Sequence, residues 1–180
     1  MKNHLILILF LLGNVSSYGN DFVLKKLVTI PGDNRNFSVA SSSIPDYGTT
    51  HNSYLCWENQ LDSVYTIYLK QLMPYQEELI TVYSDTIPNT CPTISQDIFN
   101  GITKIVWQSK HSNRWRLLAR ELKNGEFSNI IAESDTFANN TTPSVGSEGL
   151  AWIQNGNLMY RNRLSEIILI DSTSCSNPYL

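Results

Sequence analysis

A tryptophan-centred segment recurs three times along this chain, as Leu55-Cys56-Trp57-Glu58, Val106-Trp107-Gln108 and Ala151-Trp152-Ile153-Gln154. Trp57 and Trp107 lie 50 residues apart, Trp107 and Trp152 45. The first interval holds over a long stretch: Tyr65 falls on Trp115, the run 67–72 on 117–122, and Ser84-Asp85 on Ser134-Asp135. A fixed period of this size marks a stacked repeat, in which each unit buries its apolar face on its neighbours. The third copy is shorter because its central turn contracts to Asn155-Gly156-Asn157, a strong hairpin signal.

Within each copy the pattern reads as four short strands separated by turns. They are a proline-led strand (Pro92-Thr93-Ile94-Ser95, Pro143-Ser144-Val145-Gly146, and Phe37-Ser38-Val39-Ala40 in the same place), the Trp strand, the Tyr65/Trp115 strand, and a last strand at 79–83, 129–132 or 167–170. No run of 3.6-residue periodicity is long enough for a helix. In 115–120 neither alternating face is purely polar, as expected of a sheet covered on both sides. The expectation is an all-β chain of consecutive four-stranded antiparallel units: a partial unit at 20–36, repeats at 37–91, 92–142 and 143–177, and the start of another at 178–180.

Four-stranded units of this length, stacked radially, build a β-propeller. Residues 22–180 resemble the repeats of TolB-like and sialidase-like propellers of secreted bacterial proteins, which place an aromatic in a central strand, then a hairpin and a turn ending in proline. The resemblance implies propeller blades. A β-sandwich is the rival architecture, because evenly spaced short strands describe it too. Propellers use about four to eight blades, so three repeats with fragments at both ends imply a piece of a longer protein, with further blades or self-association.

Lys2 and His4 precede the apolar run Leu5 to Leu12, and small and polar residues follow up to Gly19. That is the layout of a secretory signal peptide over 1–19. An apolar core this short falls well below the ~20 residues of a membrane-spanning helix. The expected location is therefore outside the cell or in the periplasm or cell envelope, after cleavage. With a net charge of −3 and no long basic run, the chain lacks the footprint of a nucleic-acid binder. Its three cysteines, Cys56, Cys91 and Cys175, allow one disulfide at most. Cys56 sits inside an apolar strand pattern and reads as a small buried hydrophobe. The loop residues Cys91 and Cys175 are the better-placed pair.

Chemistry is sparsely signalled. After cleavage only His51 and His111 remain as imidazoles, and no Gly-x-Ser-x-Gly elbow accompanies them. No His or Cys pair has metal-ligand spacing, and no glycine-rich phosphate loop is present, so neither metal nor cofactor is expected. Sialidase-like blades carry a Ser-x-Asp-x-Gly-x-x-Trp turn. The nearest segment here, Ser109 to Trp115, keeps the Ser and the Trp but lacks the Asp and the Gly, so no catalytic residue carries over. Trp57, Trp107 and Trp152 could stack on sugars, but their identical place in each repeat argues for packing between units. Turn residues on a rigid scaffold are better placed to touch a partner, which singles out Asp62, His111 and Arg114. The expected function is a non-catalytic secreted module or scaffold that binds protein or glycan. The alternative is a fragment of a propeller-type hydrolase whose catalytic residues lie outside this chain.

Overall fold

The computed structural model describes residues 30–41, 52–73, 76, 78–97 and 99–172. The segment 1–19 expected to be a signal peptide, the expected partial unit as far as residue 29, His51, Cys175 and the segment 178–180 lie outside the described residues. The described chain is all-β, with thirteen strands in three antiparallel sheets.

The first sheet is a meander of β1 (Asp33–Ser41), β2 (Ser53–Leu61), β3 (Val64–Met73) and β4 (Ile80–Asp85), hydrogen-bonded in chain order. The second runs through β5 (Asn89–Asp97), β6 (Ile102–His111), β7 (Arg114–Lys123) and β8 (Glu126–Phe127), with β9 (Ile131–Ala132) also pairing with β7. The third consists of β10 (Asn140–Val145), β11 (Gly149–Gln154), β12 (Asn157–Asn162) and β13 (Ile167–Asp171). Two-residue turns join the central strands, and each opens on a left-handed residue: Asp62 (φ 55), Ser112 (φ 56) and Asn155 (φ 50). Backbone of that hand matches the twist of the flanking strands.

The first strand of each sheet starts ahead of the position that proline marks in the sequence. It begins at Asn89 rather than Pro92, and at Asn140 rather than Pro143. The cause is a bulge. Register shifts between Arg35 and Ser38, between Thr90 and Thr93, and between Thr141 and Ser144. Asn36, Cys91 and Thr142 sit in these gaps at φ 50, 52 and 47. Each proline follows the left-handed residue inside the gap, where its missing N–H breaks no ladder bond. Cys91, which the sequence places in a turn, is thus a strand residue at a bulge.

Two apolar clusters join the sheets in sequence order. Cys56, Ile67, Leu69 and Val82 of the first sheet pack with Ile94, Ile105, Trp107 and Leu122 of the second. Val106, Leu117 and Ala119 of the second pack with Val145, Leu150 and Trp152 of the third. A third cluster places Leu55, Trp57 and Leu72 on the other face of the first sheet, against Ile30 and Phe37. Trp57 and Trp107 are fully buried and Trp152 is 2% exposed, so these rings are core. Tyr83 of the first sheet stacks on Trp107 at 5.5 Å between centroids. Cys56 and Cys91 carry free thiols, and burial raises the pKa of both.

A buried indole needs an acceptor for its N–H, and each sheet supplies the same one. Trp57 Nε1 donates to Asn34 Oδ1 at 3.0 Å, Trp107 to Asn89 at 3.1 Å and Trp152 to Asn140 at 3.0 Å. A second contact crosses between sheets. Glu58 Oε2 accepts from the Cys91 amide at 2.6 Å and from Asn36 Nδ2 at 2.8 Å, and Gln108 Oε1 accepts from the Thr142 amide at 2.8 Å. The residue after each of the first two tryptophans therefore captures the bulge amide of the next sheet. Asn89→Ala strands the Trp107 N–H in a fully buried site and is expected to cost about 1–3 kcal/mol. The check is a lowered denaturant midpoint at unchanged slope. A midpoint equal to that of the parent protein would mean that the bond contributes nothing.

Candidate functional site

Two places concentrate polar side chains, at opposite ends of β6. The first is the tip of the β6–β7 hairpin. Here His111 faces Arg114 across the ladder, and Lys110 faces Trp115. The Lys110 ammonium lies 5.8 Å from the Trp115 ring centroid, within range of a cation–π attraction. His111 Nε2 is 3.2 Å from Ser109 Oγ. Ser109 is 1% exposed, so its hydroxyl cannot meet a substrate, and the pair holds the tip rather than forming a nucleophile and base.

The loop between β9 and β10 leans on this hairpin. Arg114 Nη1 donates to the Phe137 carbonyl, and Asn139 Oδ1 accepts from the Trp115 amide at 3.0 Å. Asp135 Oδ1 takes the Phe137 amide at 2.7 Å. Asn139 also exchanges bonds with the third sheet, donating its amide to Asn155 Oδ1 at 2.9 Å and accepting the Asn155 amide at 3.0 Å. Phe137 is held on both sides of its own backbone, yet its side chain is 79% exposed.

The second place is a cleft of about 540 Å³ between the second and third sheets, around the β5–β6 turn and the ends of β10 to β12. At its floor Glu133, with 3% of its side chain exposed, bridges two cations. Lys104 Nζ lies 2.8 Å from one carboxylate oxygen, and Arg161 pairs with the other while donating to the Glu133 carbonyl at 3.2 Å. Glu121 lies 4.0 Å from Lys104. Burial lowers the Lys104 pKa, and the charge of Arg161 adds to the effect; burial also lowers that of Arg161. On the rim, the Asn100 side chain holds the Asp97 pKa below its usual value, assisted by the amides of Asn100 and Phe99 and by Arg163.

Of the three turn residues singled out in the sequence, the structure brings two together. His111 and Arg114 are cross-strand neighbours at one tip. Asp62 forms the turn of the first sheet and has no hydrogen bond or ion pair to either among the described residues. Sequence reading missed Phe137, Trp115 as a tip residue, and the Lys104–Glu133–Arg161 bridge. Phe137 carried a signal, a lone aromatic in a polar loop ahead of a proline-led strand. The bridge carried none, because its members, in β6, just after β9 and in β12, lie far apart in sequence. No group of three or more His, Cys, Asp and Glu able to hold a metal occurs among the described residues. No helix among them is long and apolar enough to cross a membrane. No protein-family model, curated protein or solved structure matches this chain.

Proposed function

We propose that this chain is an exported, non-catalytic scaffold of the propeller type, whose three sheets are successive blades and whose loops are offered to a protein or glycan partner. One observation carries the reading. The Asn–Trp bond and the left-handed bulge recur in all three sheets, and the Trp faces of the second and third sheets each pack on the sheet before. Sheets stacked repeatedly in one sense support blades over a sandwich, whose core joins one pair of sheets. A rigid array of this kind serves to position loops. The signal-like segment 1–19 supports export.

The test applies the intact secreted chain to a glycan array and to an immobilised peptide array, with hydrolysis of a panel of aryl glycosides measured in parallel. Retention on one array without turnover is the expected result. Turnover of a glycoside, or silence on both arrays, would overturn the reading.

A further inference from the structure

The hairpin tip differs in charge from the rest of the molecule. Residues 110–116 contain Lys110, His111, Arg114 and Arg116 and no acid, in a chain of net charge −3. Beside them stands Phe137, 79% exposed with its backbone pinned by Asp135 and Arg114, and the half-buried Trp115. An exposed aromatic side chain exposes apolar area to water without return. Because its backbone is held in place in advance, little main-chain freedom is lost when a partner covers it. Aromatic and arginine side chains of this kind dominate the energetics of protein interfaces.

We propose that this tip, built from Lys110, Arg114, Trp115 and Phe137, docks an acidic peptide segment of another protein. The proposal rests on the scaffold reading above and names the partner for one of its loops. Charge complementarity selects the partner: fixed cations flank the aromatic anchor, and Asp135, the acid nearest to it, caps the Phe137 amide. Geometry favours a peptide over a sugar. Small polyhydroxylated ligands are held in concave sites that bury most of their surface, whereas this tip is exposed at Lys110, Ser112, Asn113, Arg114 and Phe137. One approach to the Trp115 ring is already taken by Lys110.

Fluorescence anisotropy with a labelled random glutamate–tyrosine copolymer provides the test, using the full secreted chain at low and high salt, with heparin and polylysine in parallel. The expected result is binding of the copolymer that weakens with salt and falls about tenfold or more in Phe137→Ala and in Arg114→Glu. Asp62→Ala and Arg163→Ala should bind as the parent does. Circular dichroism melts verify that the variants fold, and Arg114→Lys, which keeps the charge, should recover much of the loss. Copolymer binding that ignores both tip substitutions would overturn the proposal, as would a tip-dependent preference for heparin. A loss that follows Arg163→Ala would move binding to the cleft, ending this proposal while leaving the scaffold reading in place. Absence of copolymer binding ends the proposal whatever the arrays show, and silence on both arrays as well would end the scaffold reading with it.

Discussion

Trp107→Ala is expected to lower the stability of the chain by about 3–5 kcal/mol, the range of large-to-small changes in a close-packed core. The ring is fully buried at the contact of the first and second sheets, in van der Waals reach of Tyr83, with its N–H bonded to Asn89. Truncation opens a cavity that two stacked sheets cannot collapse into, because each is held by its own ladder. It also strands the Oδ1 of Asn89, whose side chain is fully buried and keeps only its bond to the Ile87 carbonyl. His111→Ala at the end of the same strand removes one bond at a solvated tip and is expected to cost under about 0.5 kcal/mol. Chemical denaturation of the two variants separates these values. Equal midpoints would show that the tryptophan is not part of the core.

Glu133→Ala is expected to cost about 3 kcal/mol. Removing one member of a buried ion pair leaves uncompensated charge and costs in the range of about 3–5 kcal/mol. The lower end applies because Lys104 and Arg161 keep 26% and 21% of their side chains exposed and can recover some hydration. Without Glu133 the two cations would repel each other across the seam between the second and third sheets. The loss should depend only weakly on salt, since buried charges are poorly screened. Replacing all three groups with Met, Leu and Met should restore most of the stability, because an apolar set of similar volume needs no pairing. Thermal and denaturant unfolding of the single and triple variants test this. A single variant as stable as its parent would mean that the bridge lies outside the packed seam.

The strand content and the burial of Trp57, Trp107 and Trp152 were legible because both rest on local period and on a repeat that can be counted. The keying of the sheets was not. Asn34, Asn89 and Asn140 stand 23, 18 and 12 residues before their tryptophans, so no fixed spacing points to the pairing. Alignment on the following residues exposes it, as Asn34-Arg35-Asn36-Phe37-Ser38-Val39, Asn89-Thr90-Cys91-Pro92-Thr93-Ile94 and Asn140-Thr141-Thr142-Pro143-Ser144-Val145. The longer distance in the first sheet is taken up by the connection between its first two strands, and the shorter one in the third by shorter strands on either side of theirs. Strand starts were misplaced for a related reason. Proline reads as the opening of a strand, but a bulge lets Pro92 and Pro143 sit inside one. The partnership of Glu58 with Cys91 crosses between sheets and leaves no trace in either segment alone.

The Cys91 and Thr142 bulges have a cost of their own. Left-handed backbone is disfavoured for residues other than Gly, Asn and Asp, and most of all for a β-branched residue such as Thr142. Asn36 occupies the first bulge with less strain. Among the described residues the apolar clusters join the first sheet to the second and the second to the third, and none joins the first to the third. Cooperativity in this chain therefore runs along one dimension. Opening begins at the outer sheets and moves inward, and amide hydrogens of β6, with a neighbouring sheet on each face, are the last to exchange with solvent.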